Sequence, residues 1–242
     1  MSLYLDLLEK TLLGLVYEDG SASPWTAPQF SLNNRTEGMD WPVQAHTMIG
    51  LKRLRNIRDL LEDVIANSVP GDFVETGCWR GGACIYARGV LKYYSINNRK
   101  VYACDSFEGL PKPDSRFPAD NGDTHHTVKF LAVSKEEVQR NFQKYGLADD
   151  QVVLVKGWFK DTLPTLPVNN VAILRLDGDM YGSTMDALTA LYHKVPSGGY
   201  IVVDDYNAVQ GCKTAIHDFR ASVGDTSPLI AIDSLGVYWK KQ

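Results

Sequence analysis

Two hydrophobic rhythms divide the chain. Leu3, Leu7, Leu8, Leu12 and Leu15 recur at helical spacing and predict an amphipathic helix over residues 3–16. Residues 17–41, rich in Ser, Pro, Asn and Gly, predict a loop. A second helix is predicted from Val43 to Ala66, with Ile49, Leu51, Leu54, Ile57, Leu61, Val64 and Ile65 as its apolar positions, and Pro70-Gly71 follows as a break. From there short apolar runs alternate with helical ones. Strands are predicted over Asp72–Thr76, Val101–Cys104, Val152–Val155, Val171–Leu176 and Tyr200–Val203. Helices are predicted over Gly81–Tyr94, from Ser134 to near Tyr145, and over Ser183–Lys194 and Thr214–Ala221. Ser134 with Glu137 three residues on is a capping box. Leu229–Ile232 and Gly236–Trp239 read as two final strands around a turn at Ser234-Leu235.

Strands alternating with helices predict an α/β fold, a mostly parallel sheet covered on both faces, with the terminal pair as an antiparallel edge. Residues 1–66 are expected to form a helical cap and lid segment on a single α/β unit spanning 67–242. The length of 242 residues is enough to bury a full core. Lys and Arg number 25 against 29 Asp and Glu, a net charge of −4 that argues against a nucleic-acid partner. The four cysteines, Cys78, Cys84, Cys104 and Cys212, include no C-x-x-C pair and read as reduced, buried thiols. The stretch Leu12-Leu13-Gly14-Leu15-Val16 is too short to span a membrane, so no membrane partner and a cytoplasmic location are expected.

Two constellations carry chemistry. In Glu75-Thr76-Gly77-Cys78-Trp79-Arg80-Gly81-Gly82, glycines fall where a strand meets a helix. Gly77 permits a tight turn, and Gly81 lies where the N–H groups of the next helix attract an anionic group. The spacing is not that of a dinucleotide fingerprint. Glu75, just before the turn, is similar to the acidic residue at the S-adenosylmethionine (SAM) site of Rossmann-like methyltransferases. Asp105 ends the next strand, where a carboxylate can accept both hydroxyls of a ribose.

The second constellation is Asp177-Gly178-Asp179 with Asp204-Asp205, at the carboxyl ends of two strands joined by one crossover. Four crowded carboxylates repel one another and raise their own pKa values, and a bound cation removes that penalty. Oxygen-only ligands favour Mg²⁺ or Ca²⁺ over Zn²⁺. A cation beside a SAM pocket implies methylation of a hydroxyl, with a vicinal diol as the natural chelating acceptor. Asp179, two residues from Asp177, is placed to take the hydroxyl proton.

These segments, together with Asp40-Trp41-Pro42, Ala45 to Gly50, Asp105 to Pro111, Gly157 to Pro164, Leu176 to Tyr181 and Val203 to Tyr206, make the chain resemble the macrocin O-methyltransferase family over nearly its whole length. The resemblance implies a SAM- and metal-dependent enzyme that methylates hydroxyls of natural products, with a glycosylated small molecule as acceptor. It implies a Rossmann-like methyltransferase fold of seven strands. It implies Asp177, Asp204 and Asp205 as ligands of Mg²⁺ or another divalent cation, Asp179 as general base, and SAM contacts from Glu75, Gly77, Asp105 and Ser106. By analogy with catechol-type relatives, the backbone at Met48 and Ile49 is expected at the methionine end of SAM. Trp158 is a candidate to flank the adenine, with a place in the core as the alternative. His125-His126 is a candidate for the acceptor side. Gly182 departs from the longer polar residue expected between the tyrosine and the serine. Helical caps of this fold often form interfaces, which implies a homodimer or a higher homo-oligomer.

Two other classes compete. Asp177-Gly178-Asp179 is also a D-x-D motif of metal-dependent glycosyltransferases, and a SAM-fold protein can serve as a non-catalytic binding partner. Glu75 with its glycine turn disfavours the first. The intact carboxylate cluster disfavours the second.

Overall fold

A computed structural model describes residues 2–242. The N-terminal segment holds α1 (Leu3–Leu12), α2 (Leu32–Glu37) and α3 (Gly50–Ala66). There follow β1 (Asp72–Thr76), α4 (Gly82–Tyr93), β2 (Val101–Asp105), α5 (Lys135–Lys144), β3 (Val152–Lys156), α6 (Phe159–Thr162) and β4 (Val171–Leu176). The chain continues through α7 (Tyr181–Leu191), β5 (Tyr200–Val203), α8 (Gln210–Val223), β6 (Ile230–Ala231) and β7 (Val237–Lys240).

The seven strands form one sheet in the order β3-β2-β1-β4-β5-β7-β6. The first five are parallel, and β7 joins β5 and β6 antiparallel, as the pattern predicts. Successive strand residues serve opposite layers. Phe73, Ala103 and Ile173 face a core shared with α1, α3, α4 and α5. Val74, Cys104 and Leu174 face a second core with α7 and α8. All six residues of β4 are buried.

Several boundaries differ from the sequence expectation, each for a physical reason. α1 stops at Leu12 instead of running to residue 16, because the chain turns at Gly14 with φ +68°. The expected loop 17–41 contains α2, capped by the Ser31 hydroxyl accepting from Asn34 N–H at 3.3 Å and ended by left-handed Gly38. α3 starts at Gly50, not Val43. The Asp19 carboxylate accepts the N–H groups of Gln44 and Ala45, each at 2.8 Å, and keeps that stretch irregular. α7 starts at Tyr181 and its last turn, 192–194, tightens to 3₁₀ geometry. α8 is longer than expected at both ends, closing on Gly224.

The N-terminal segment is organised around Arg35, whose side chain is fully buried. Its guanidinium donates to both oxygens of Asp40 at 2.9 Å, to Leu13 O at 2.5 Å and to Asp19 O at 2.8 Å. Asp40, three residues beyond α2, and the carbonyls of Leu13 and Asp19 thus share one cation. Removing one partner of a buried ion pair costs about 3–5 kcal/mol. Arg35→Ala is therefore expected to lower the urea unfolding free energy by about that amount, and a loss below about 1 kcal/mol would contradict the assigned role.

Candidate active site

The register of the sheet assembles the site. Glu75 on β1 lies opposite Arg175 on β4, and Arg175 lies opposite Val202 on β5. Asp177 and Asp204 stand two residues beyond Arg175 and Val202, so strand alternation sends all of them to the face covered by α3. Arg175 is completely buried and donates from Nη1 to Glu75 Oε1 at 2.5 Å and to Asp177 Oδ2 at 2.6 Å. Its Nη2 bonds Asp204 Oδ1. Arg53, from α3, donates to the other oxygen of Asp204, to Asp233 Oδ2 at 2.9 Å and to Gly38 O at 3.1 Å. Sequence reasoning missed both arginines. Much of the repulsion assigned there to a bound cation is relieved by these guanidiniums.

Beside this network lies the glycine turn. Gly77 has φ +92°, and a Cβ there would sit 1.8 Å from the Asp177 carbonyl oxygen. Only glycine lets the turn after β1 touch the end of β4. Asp105, at the end of β2, accepts Cys78 N–H and Phe107 N–H, each at 2.8 Å. Ser106 Oγ lies 3.4 Å from the oxygen that accepts Phe107 N–H. Burial raises the Asp105 pKa, with these backbone N–H groups opposing the rise. Burial also pushes Glu75 up to about 7, against the pull of Arg175.

A single cavity of about 880 Å³ runs past both constellations. It is lined by Met48, Ile49, Glu75, Gly77, Asp105, Ser106 and Trp158, and by Asp177, Asp179, Asp204 and Asp205. Trp158 borders the cavity half-buried, as the residue preceding α6, and belongs to neither core. Ser106 donates its hydroxyl to Gly109 O at 2.6 Å and shapes the turn behind Asp105. Gly81 does not line the cavity. It adopts φ +85° before α4, and its Cα faces Val138 and Phe142 of α5, so packing and backbone conformation explain it.

One oxygen from each of Asp177, Asp204 and Asp205 lies within 4.8 Å of the others. Asp205 also accepts Asp179 N–H through Oδ2 at 3.2 Å. This hard, all-oxygen set fits Mg²⁺, which prefers carboxylates and water. Burial, then the neighbouring carboxylates, raise Asp204 to about 6 and Asp205 well above the usual range. Asp179 has φ +57°, a left-handed backbone rare for a residue with a side chain. Burial and then the Asp177 charge push its carboxyl up to about 7.

A third element closes the cavity: the loop 106–133 between β2 and α5, which supplies Phe117, Asp120, His125 and His126 to the lining. Trp79 Nε1 donates to Phe130 O at 3.0 Å, and Trp41 stacks on the Phe130 ring at 5.4 Å, joining the loop to the glycine turn and to the N-terminal segment. Asp120, only 4% exposed, accepts Tyr181 N–H at 2.7 Å and Gly182 N–H at 2.9 Å. It caps α7 from sixty residues away, which no local pattern announces.

The chain matches the macrocin-O-methyltransferase (TylF) family model over residues 1–241. It is 51% identical to demethyldecarbamoylnovobiocin O-methyltransferase of Streptomyces niveus, covering 99% of this chain and 94% of the relative. It is 45% identical to 8-demethyl-8-(2,3-dimethoxy-alpha-L-rhamnosyl)-tetracenomycin-C 4'-O-methyltransferase of Streptomyces olivaceus, over 98% of this chain and 92% of the relative. The solved structure of the O-methyltransferase NovP superposes with a TM-score of 0.94 at 51% identity, covering 99% of this chain and 98% of that one. The chain thus belongs to the macrocin-O-methyltransferase family and is a SAM-dependent O-methyltransferase.

Proposed function

We propose that the enzyme transfers the SAM methyl group, with the help of Mg²⁺, to one hydroxyl of a vicinal diol on a natural-product sugar. The observation that carries this reading is the convergence of Asp177, Asp204 and Asp205 in the same cavity as Glu75, Gly77 and Asp105. A sugar acceptor is supported by the relative that acts at the 4' position of a rhamnosyl tetracenomycin.

In this reading the glycine turn, Glu75, Asp105 and the backbone at Met48 and Ile49 would hold SAM, which supplies the methyl group when bound. Asp177, Asp204 and Asp205 hold the cation, which supplies Lewis acidity toward a hydroxyl oxygen when bound. Arg175 fixes Asp177 and Asp204 before anything binds, so the site pays little reorganisation. Asp179, presented by its left-handed backbone, takes the hydroxyl proton as the acceptor oxygen attacks the methyl carbon. Phe117, Trp79 and Trp41 exclude water from the path.

Three outcomes test the reading. In isothermal titration the enzyme binds SAM and shows no heat with a UDP-sugar. Binding of the UDP-sugar without SAM would overturn the methyltransferase chemistry in favour of the D-x-D alternative. Asp179→Asn, whose side chain tolerates the left-handed backbone, is expected to lower kcat by about 10²–10⁴ while SAM affinity is retained. Turnover within a few fold of the parent would remove Asp179 as base. Asp205→Asn is expected to weaken Mg²⁺ binding by at least roughly 10–100-fold, the loss known for outer-sphere partners of metals. Unchanged Mg²⁺ affinity in calorimetry would contradict its role as a ligand.

A further inference from the structure

The turn 21–28 carries an exposed tryptophan to the cavity. Ser23-Pro24-Trp25-Thr26-Ala27-Pro28 sets one indole between two prolines, which restrict the backbone before any contact forms. The turn is closed by its own groups. Ser21 N–H donates to Pro28 O at 2.9 Å, Ser21 Oγ accepts Ser23 N–H at 3.1 Å and lies 2.8 Å from Thr26 Oγ1, and Ser23 Oγ accepts Trp25 N–H at 3.2 Å. Its base is fastened to the segment after α2, through Ala22 N–H to Trp41 O at 2.7 Å and Val43 N–H to Gly20 O at 3.2 Å. The indole held this firmly is 71% exposed and lines the cavity. Leaving a large apolar group in water forgoes the free energy of its burial, and a group of them at a cavity marks a contact surface.

Trp25 belongs to such a group. Its ring meets Trp41 edge to face, with centres 5.0 Å apart and planes at 87°, and Trp41 stacks on Phe130 with planes at 7°. Met39, two residues before Trp41, is exposed and also lines the cavity. The inner end of this strip is tied to the carboxylates. Gly38, next to Met39, offers its carbonyl to Arg53, and another nitrogen of Arg53 holds Asp204. Met39, Trp41 and Trp25 thus form an apolar strip along the same cavity, beginning beside the proposed cation site.

We propose that this strip is a second acceptor subsite, which takes the planar, uncharged ring system to which the acceptor sugar is linked. This rests on the reading that Asp177, Asp204 and Asp205 receive the sugar through the cation. The occupant follows from continuity: a sugar at the carboxylates leaves the rest of a glycoside further along the cavity, where Met39 and Trp25 stand. Indole and thioether surfaces suit a flat aromatic ring, which gains from packing on an indole beyond the area it buries. A further hydrophilic sugar would lose hydration there without replacement hydrogen bonds.

Two probes share a sugar and differ only in this part: 4-methylumbelliferyl α-L-rhamnopyranoside and methyl α-L-rhamnopyranoside. In calorimetry of the whole enzyme with S-adenosylhomocysteine and Mg²⁺, the aryl glycoside is expected to bind about tenfold more tightly than the methyl glycoside. Trp25→Ala is expected to weaken the aryl glycoside by about that factor and to leave the methyl glycoside and S-adenosylhomocysteine unchanged, while Trp25→Phe keeps most of the preference. Trp25 is exposed and outside both cores, so the fold tolerates the change.

Equal binding of the two glycosides by the parent, an aryl affinity weaker than about 1 mM, or an unchanged aryl affinity in Trp25→Ala would overturn the subsite. A loss of S-adenosylhomocysteine affinity in Trp25→Ala would overturn it too, by placing Trp25 at the cofactor. Asp205→Asn, measured alongside, is expected to weaken both glycosides together and to preserve their ratio. If it weakens neither, the sugar does not sit on the cation, and that reading fails while the ratio in Trp25→Ala still judges the strip.

Discussion

The guanidinium of Arg175 is the constraint on which the site depends. A fully buried cation is tolerable only when carboxylates surround it, and here three do: Glu75, Asp177 and Asp204. Those three come from three adjacent strands and belong to different halves of the reaction. Glu75 lies on the cofactor turn, whereas Asp177 and Asp204 lie in the proposed cation site. One side chain therefore fixes the spacing between the two halves. Arg53 extends the same network to α3, to Gly38 of the N-terminal segment and to Asp233 beside β6. The helical segment is thus wired into the sheet edge by charge as well as by the apolar contacts of the core on that face.

Local signals made much of this legible. Strand alternation, the Ser134 capping box and the glycine turn predict elements that the structure shows, including the antiparallel edge. The carboxylates at strand ends were legible because open parallel sheets bind ligands there. What sequence reasoning missed is long-range. Val171–Leu176 reads as a buried strand, and its one charge, Arg175, had no visible partner. The signal was present in parity: Arg175 stands two residues before Asp177 and, once β1 and β4 pair, opposite Glu75. Gly81 packs against α5 with a left-handed backbone and does not line the cavity. The apolar pattern extends a helix over 43–49, and nothing local shows that Asp19 holds the N–H groups of Gln44 and Ala45.

The loop 106–133 supplies Phe117, Asp120, His125 and His126 to the cavity. Asp120 capping α7 means that loop position and the geometry just after Asp179 change together. Gly182 acquires a reason in the same contact, because a side chain there would displace Phe117. The loop and its seat on α7 line one side of the cavity, while Glu75, Asp105 and the carboxylates at the strand ends line the other.

The most direct test of the account is an anomalous difference map from crystals grown with S-adenosylhomocysteine and Mn²⁺ in place of Mg²⁺. The account predicts one peak bounded by Asp177, Asp204 and Asp205, with Arg175 still bonded to Glu75 and the ligand side chains. A map with no peak there, or with the ion bound elsewhere in the cavity, would contradict it.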